Sequence, residues 1–266
     1  MKIGNIEING TELFTILGPC VIEKEKITME IAESVKTIGE EIDIPVIFKA
    51  SFDKANRSSI NSYRGPGIDT GIKILEKIKS ELDLPVLSDI HEPSQAEFVR
   101  DVLDIIQIPA FLSRQTDLLI AAGNTGLPVN IKKSQFMAPE DMGFIIEKVK
   151  STGNSNIMLT ERGTFFGYRN LVVDFRNIPV MKKNNCPVII DATHSVQRPT
   201  SEGGVTGGNP EFIPMIASSG VVSGADGVFL EVHPSPENAL SDGANSLNLK
   251  KLKPLLIKLK KLYNIK

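Results

Sequence analysis

The chain has 266 residues, of which 41% are apolar, so it can bury one substantial core, and we expect a single domain over residues 1–266. Its 30 lysines and arginines nearly balance its 32 aspartates and glutamates, which leaves no overall field that favours nucleic acid or an acidic membrane as partner. The N-terminus lacks the long apolar stretch of a secretory signal, and no apolar run reaches the ~18 residues that span a membrane. We therefore expect a cytoplasmic protein.

The first predicted element is a short β-hairpin over residues 1–12. Asn9-Gly10 lies between two β-prone runs in IEINGTELF, and Asn-Gly is the strongest short sequence signal for a hairpin turn. We expect this hairpin to cap the bottom of the fold that follows.

Eight short apolar, β-branched runs come next, and stretches with helical periodicity, such as Ile27, Ile31 and Val35, separate them. Strand then helix, repeated eight times, predicts an α/β fold with a parallel sheet closed as a (β/α)8 TIM barrel. An open doubly wound sheet is the alternative, but the glycine-rich nucleotide motifs typical of such sheets are missing from the sequence. The runs begin at Leu13, Ile44, Leu84, Asp104, Leu127, Asn156, Cys186 and Asp226.

The C-terminal segment LNLKKLKPLLIKLKKLY, from Leu247, alternates leucine and lysine at helical spacing. Such a pattern occurs in basic helices on membrane surfaces. It is also the pattern of an outer barrel helix that packs its leucines inward and leaves its lysines in water. We favour the second interpretation, because the barrel needs an eighth helix.

Many of the runs end in polar residues, and a barrel directs these ends to one mouth, where active sites lie. One charged residue at a strand end usually just begins a loop, but here many converge. The cationic set indicates anionic substrates, because guanidinium groups bind phosphate and carboxylate in pairs of hydrogen bonds and lysine adds a compact charge. Its members are Lys49, Lys54, Arg57, Arg114, Lys132 and Arg162.

A second set combines one thiol, one imidazole and two carboxylates: Cys20, His194, Glu231 and Asp242. Sulfur, nitrogen and oxygen together suit Zn²⁺ or Fe²⁺ better than Mg²⁺, and Mn²⁺ is also compatible. The other cysteine, Cys186, begins its run at the opposite end of the barrel, where we expect a small buried side chain.

Long blocks of the sequence resemble the 3-deoxy-D-manno-octulosonate 8-phosphate synthases, and they occur in the order found in that family. They are LGPCVIE from Leu17, FKASFDKANRSSINSYRGPG from Phe48, SDIHEP from Ser88, IIQIPAFLSRQTDLL from Ile105, VNIKKSQFMAPED from Val129, LTERGTFFGYRNLVVDFR from Leu159, DATHSVQRP from Asp191 and LEVHPSPENALSD from Leu230. The resemblance implies condensation of phosphoenolpyruvate with arabinose 5-phosphate, for lipopolysaccharide biosynthesis. Cys20 after Gly-Pro is typical of the metal-dependent branch, which implies a divalent ion at Cys20, His194, Glu231 and Asp242.

The resemblance also implies a role for each matching residue. Phosphoenolpyruvate would be bound by Lys49, Lys54, Gln107, Lys132 and Arg162, and arabinose 5-phosphate by Asn56, Arg57, Ser58 and Arg114. Residues at the reacting centre would be Lys54, Asn56, Asp89, His194 and Asp242. Arg114 is expected to reach a neighbouring subunit's site, which implies a homotetramer.

Other functions remain open at this stage. The sister heptulosonate 7-phosphate synthases use erythrose 4-phosphate, but they typically carry Lys-Pro-Arg-Thr-Ser where this chain has Ala55-Asn56 between Lys54 and Arg57. Sialic-acid-type synthases are more distant. A phosphosugar-binding regulator without turnover is the non-enzymatic alternative, and a Schiff base on Lys49 or Lys132 is the competing mechanism.

Overall fold

The computed structural model describes residues 1–57, 59–165, 170–198 and 207–265. Each of the eight predicted apolar runs contains one barrel strand, so the predicted α/β barrel is confirmed. The strands are β1 (Lys2–Ile3), β2 (Ile6–Glu7), β3 (Phe14–Gly18), β4 (Val46–Lys49), β5 (Val86–Asp89), β6 (Ile105–Ile108), β7 (Val129–Lys132), β8 (Ile157–Glu161), β9 (Val188–Asp191), β10 (Gln197–Arg198), β11 (Gly207–Gly208), β12 (Gly227–His233) and β13 (Leu247–Asn248).

Helices follow the barrel strands and form the outer layer. They are α1 (Glu25–Ile42), α2 (Ile68–Leu82), α3 (Pro93–Val99), α4 (Thr116–Asn124), α5 (Met142–Lys150), α6 (Asn177–Lys182), α7 (Ile213–Val222) and α8 (Leu252–Tyr263). The leucine stripe of α8, including Leu252, Leu256 and Leu259, is fully buried, as expected for an outer barrel helix. Within the described ranges, no helix combines the length and the apolar character needed to cross a membrane.

The barrel closes because β12 pairs in parallel with both β3 and β9, while the strands between them pair in sequence order. The short β13 pairs in parallel with the last two residues of β12, Val232 and His233. All neighbouring barrel strands are parallel, so their carboxyl ends meet at one mouth.

Side chains that point into the barrel form two layers. The lower layer is a small apolar cluster of Phe14, Ile16, Ile47, Leu87, Ile105, Met158, Ile189 and Phe229. Because side chains alternate sides along a strand, the residue two positions later on each strand points inward as well, one layer nearer the mouth. These upper residues include Lys49, Asp89, Gln107, Thr160, Asp191 and Glu231.

The N-terminal hairpin is present, but its predicted turn was wrong. Pairing of Lys2 with Glu7 and of Ile3 with Ile6 places the turn at Gly4-Asn5, and Gly4 has the positive φ of 55° that such a turn requires. Asn9 Oδ1 instead accepts hydrogen bonds from the backbone nitrogen and the hydroxyl of Thr11. That local turn leads into β3, which has parallel partners and leaves no antiparallel return strand.

The hairpin contributes Ile3 and Ile6, together with the following Ile8, to the lower apolar layer of the barrel. That packing supports the prediction that residues 1–12 cap the barrel's N-terminal end. This prediction and that of a single domain over residues 1–266 stay predictions.

Candidate active site

Most of the predicted site residues meet at the barrel mouth, around a cavity of about 180 Å³. Nine predicted residues line it: Lys49, Lys54, Asn56, Arg57, Asp89, Lys132, Arg162, His194 and Asp242. A larger cleft of about 1080 Å³ opens beside it and shares Arg57 and Asp242 with it. The smaller cavity holds the charged side chains, so we take it as the centre of the site.

The carboxylate of Glu231 lies at the centre of the charged side chains around the cavity. Its Oε1 accepts a hydrogen bond from Lys49 Nζ at 3.0 Å and lies 3.7 Å from Lys54 Nζ and 3.6 Å from His194 Nε2. Burial acts to raise the pKa of Glu231, but Lys49, His194, Lys54 and Lys132 together hold that pKa well below its usual value. The group is therefore an ionised carboxylate with no exposed surface.

Lys49 is fixed by the close approach of the first two barrel strands. Its Nζ also donates to the carbonyl oxygen of Cys20 at 3.0 Å. A side chain at Gly18 would place its Cβ 1.9 Å from the carbonyl oxygen of Lys49, so only glycine permits β3 and β4 to come this close. The Gly-Pro-Cys sequence thus positions both a lysine and a thiol.

Lys132 lies on the opposite side of the mouth in a second ion cluster. Its Nζ is 2.7 Å from Asp191 Oδ2 and 3.8 Å from the centroid of the Phe229 ring, a cation–π contact. Burial lowers the pKa of Lys132 and outweighs the opposing effect of Asp191. Asp191 Oδ2 also lies 2.7 Å from His194 Nδ1, and this contact leaves Nε2 of the imidazole directed at Glu231.

Asp89 is held at both carboxylate oxygens. Ser51 donates a hydrogen bond to Oδ2 and Gln107 donates one to Oδ1, while Lys49 Nζ lies 3.9 Å from Oδ2. Burial acts to raise the pKa of Asp89, but Lys49, Lys54 and Lys132 hold it below its usual value. Asp89 is therefore a fixed negative charge among cations.

Three of the four predicted metal ligands form a compact cluster. Ligand atoms of Cys20, Glu231 and Asp242 all lie within 4.8 Å of one another. His194 does not belong to this cluster, although its Nε2 is 3.6 Å from Glu231 Oε1.

An unpaired carboxylate oxygen and the chemistry of the donor atoms fit a divalent ion. Among the described residues, the buried Glu231 Oε2 has no hydrogen-bond partner. Burial, together with Asp242 and Glu231, raises the pKa of the Cys20 thiol, and a cation at this point would reverse that effect by stabilising the thiolate. One sulfur and several oxygens, with an imidazole nearby, form a donor set suited to Zn²⁺, Fe²⁺ or Mn²⁺.

Two arginines present unused donors in the site. Within the described part of the chain, Arg57 Nε and Nη2 and Arg162 Nη1 are buried without a hydrogen-bond partner. Arg57 Nη1 lies 3.4 Å from Asp242 Oδ1, and Arg162 Nη2 donates to Gln197 Oε1 at 2.8 Å. Buried guanidinium nitrogens that lack acceptors are suited to bind phosphate or carboxylate oxygens.

A buried ion pair behind the cavity holds Arg162 in place. Glu161 Oε1 accepts the backbone N–H groups of Arg162 and Gly163 at 2.9 and 2.6 Å, and Lys133 Nζ lies 3.6 Å from the same oxygen. Both charged side chains of this pair are completely buried. The turn that carries Arg162 is thus fixed from within the protein.

Two other predicted residues, Gln107 and Arg114, do not line the cavity. Gln107 is buried beside Asp89 and does not line the cavity. Arg114 is exposed on the segment after β6, where its carbonyl accepts a hydrogen bond from Lys148 at 2.9 Å. Ser58 and residues 199–206 of the loop that begins at Gln197 fall outside the described residues.

Sequence reasoning missed several residues of the site. Asp191 was visible as a polar strand end, but its link to both Lys132 and His194 was not. His91 and Gln197 also line the cavity, and Phe229 lies beneath the two ion clusters. Inward positions recur at every second residue of a strand, so counting them would have found both Asp191 and Phe229. Phe229 is two residues before Glu231 on β12, and Asp191 is two residues after the inward Ile189 on β9.

The sequence is similar to known proteins over nearly its whole length. Residues 2–265 match the model of the DAHP synthetase I family. A protein of Desulfatibacillum aliphaticivorans named 2-dehydro-3-deoxyphosphooctonate aldolase is 56% identical over 93% of this chain and 90% of its own length. A protein of Geotalea uraniireducens with the same name is 55% identical over 98% of this chain and 96% of its own length. The chain therefore belongs to the DAHP synthetase I family, in the group whose members are named 2-dehydro-3-deoxyphosphooctonate aldolase.

Proposed function

We propose that this protein condenses phosphoenolpyruvate with arabinose 5-phosphate and water to give 3-deoxy-D-manno-octulosonate 8-phosphate and inorganic phosphate. The main support is that two arginines with unused buried donors lie around the same cavity as a cluster of one sulfur and two carboxylate ligands. The name shared by its relatives indicates the same product. We place the reaction in the cytoplasm, as a step of lipopolysaccharide biosynthesis.

Phosphoenolpyruvate is assigned to the side of the cavity that holds Lys132 and Arg162, with Lys49 and Lys54 across from them. Its phosphate and carboxylate need several positive partners, and the unused Nη1 of Arg162 and the ammonium of Lys132 are directed at the same space. Gln107 is expected to support this side through Asp89, to which it donates a hydrogen bond.

Arabinose 5-phosphate is assigned to the outer part of the mouth. Asn56 is exposed there, and Arg57 has two unused nitrogens for the sugar's phosphate. Ser58 follows directly in the chain, and Arg114 of a neighbouring subunit is proposed as a further phosphate ligand.

In the proposed reaction, C3 of phosphoenolpyruvate attacks the aldehyde carbon of the sugar, which forms the new C–C bond. Water adds at C2 and loses a proton, and the former aldehyde oxygen gains one. The C2 hydroxyl then becomes the ketone carbonyl as phosphate leaves with cleavage of its C–O bond, and the hydroxyl proton passes to the departing phosphate. Lys49, Lys54 and Lys132 are fixed before substrate arrives, so they stabilise developing negative charge without reorganisation. Holding both substrates in reacting geometry can lower the barrier by ~7 kcal/mol or more.

A divalent ion, Zn²⁺, Fe²⁺ or Mn²⁺, is proposed to bind at Cys20, Glu231 and Asp242, with His194 as the fourth ligand. When bound, such an ion supplies Lewis acidity and orients oxygen atoms of the substrates. The protein's part is to hold the ligands: Asp191 orients His194, and Lys49 fixes the Glu231 carboxylate. Ser241 Oγ, 2.9 Å from Cys20 Sγ, supports the sulfur.

A Schiff base on Lys49 or Lys132 is the competing mechanism, and burial gives Lys132 the lowered pKa that such chemistry uses. Phosphoenolpyruvate already provides a nucleophilic enol carbon, however, so the condensation does not need one. The tight pairing of Lys132 with Asp191 also favours a binding role.

A homotetramer is proposed because apolar side chains are exposed next to Arg114. Phe111, Phe136 and Phe144 are 57%, 61% and 66% exposed, on or near segments that follow β6 and β7. Exposed phenylalanines in neighbouring segments are typical of surfaces that bind another protein chain.

The first prediction concerns the acceptor sugar. Phosphate release from phosphoenolpyruvate is expected with arabinose 5-phosphate, and at least about tenfold more slowly with erythrose 4-phosphate, because one extra hydroxylated carbon can contribute ~1.4 kcal/mol of specific binding. A preference for erythrose 4-phosphate would indicate that the protein catalyses the sister reaction, after which the family model is named. Binding without turnover of either sugar would instead indicate a phosphosugar-binding regulator.

The second prediction concerns metal binding. Cys20→Ala should weaken metal binding at least about tenfold, since it removes a ligand, whereas Cys186→Ala, at the other end of the barrel, should bind metal as the wild type does. Equilibrium dialysis with Zn²⁺ or Mn²⁺ and elemental analysis measures this without any assay of activity. Equal metal content in both variants would contradict the proposed site.

The third prediction concerns assembly. Sedimentation velocity is expected to show a tetramer for the wild type and smaller species for Phe111→Asp, because a charge would be buried in the interface. Arg114→Ala should keep the tetramer but lose activity. A monomeric wild type with full activity would contradict the shared site.

A further inference from the structure

A row of side-chain hydrogen bonds crosses four neighbouring barrel strands, β5 to β8, and ends on Asp89. Thr160 Oγ1 donates to Asn130 Oδ1 at 2.7 Å, and Asn130 Nδ2 donates to Gln107 Oε1 at 2.9 Å. Gln107 Nε2 then donates to Asp89 Oδ1. Strand register explains the row, because Asp89 is paired with Gln107 and Gln107 with Asn130 across adjacent strands.

All donors in this row point the same way, and Asp89 explains why. An ionised carboxylate can only accept hydrogen bonds, so Gln107 must present its amide nitrogen to Asp89. The amide oxygen of Gln107 then faces Asn130, which must donate in turn, and the oxygen of Asn130 requires a donor from Thr160. Each amide orientation is therefore set by its neighbour on the side of Asp89.

Burial makes this row costly to interrupt. Thr160 and Asn130 have no exposed surface, and Gln107 is only 1% exposed. A polar group that loses its partner in such a place cannot bond to solvent instead, so the loss destabilises the arrangement. Loss of the Thr160 hydroxyl would leave Asn130 Oδ1 without a donor, so the amides of Asn130 and Gln107 would be held less firmly in the positions that restrain Asp89.

From this row we infer that Asn130 and Thr160 are positioning residues for the condensation, acting through Gln107 on Asp89. The inference rests on the proposed function, and it deepens it by adding two residues that do not touch the cavity. Asp89 lines the cavity 3.9 Å from Lys49 Nζ, so the rotamer of its carboxylate sets the position of charge beside the reacting atoms. Ser51 holds the second oxygen and completes the restraint.

Thr160→Val tests the inference, because valine keeps the shape and removes the hydroxyl. We expect kcat to fall about fivefold, which corresponds to the loss of a hydrogen bond of ordinary strength, with KM for phosphoenolpyruvate within about twofold of wild type. Thr160→Ser keeps the hydroxyl and should restore kcat. Thr15→Val is the matched control: Thr15 is equally buried on a barrel strand and donates to the carbonyl oxygen of Pro45 at 3.0 Å, outside the row.

Thr15→Val and Thr160→Val should lose similar thermal stability, but only Thr160→Val should lose kcat. An unchanged kcat in Thr160→Val, or an equal fall in Thr15→Val, would overturn the inference and leave a structural role alone. Asn130→Asp is the second variant, since aspartate cannot donate to Gln107, and its kcat should fall further than that of Thr160→Val. Absence of turnover in the wild type, measured in the same assay, would overturn the proposed function instead, so the two failures are distinguishable.

Discussion

A buried carboxylate is tolerated only where cations or other partners compensate for the loss of water, and the site depends on this constraint at Glu231. Lys49, Lys54 and His194 surround its Oε1 at 3.0 to 3.7 Å, and Lys49 Nζ also lies 3.9 Å from Asp89 Oδ2. Removal of Glu231 would leave buried positive charge, and removal of a lysine would leave buried negative charge. This mutual dependence fixes the positions of the charges before any substrate binds, which is the state that electrostatic catalysis requires.

The alternation of side chains along barrel strands supplies the geometry for that cluster. Inward residues of the lower layer are apolar, and the next inward residues toward the mouth are charged or polar. The lower layer ends at Phe229, whose ring lies 3.8 Å from Lys132 Nζ and 5.5 Å from Lys49 Nζ. An aromatic face attracts these ammonium groups without adding a countercharge, so they keep their capacity to bind anions.

The barrel and most residues of its mouth could be predicted, because strand ends are local features and the parallel topology brings them together. Side-chain contacts between strands could not be predicted from such local features. The hairpin turn at Gly4-Asn5 was missed because Asn9-Gly10 has the stronger local sequence signal for a turn. That local signal does not reveal that the strand after it, β3, pairs with parallel neighbours. The row of hydrogen bonds from Thr160 to Asp89 depends on strand register, which one sequence does not specify. The role of Asp191 follows only from its contacts with Lys132 and His194.

We propose two separate anion sites in the barrel mouth, one at Arg162 for phosphoenolpyruvate and one at Arg57 for arabinose 5-phosphate. Calorimetric titration of each ligand alone into Arg162→Met and Arg57→Met distinguishes the two sites. We expect a crossed pattern, in which Arg162→Met loses affinity for phosphoenolpyruvate and Arg57→Met loses affinity for arabinose 5-phosphate, each by about tenfold or more. Weakening of the same ligand by both variants, or of neither ligand, would contradict it.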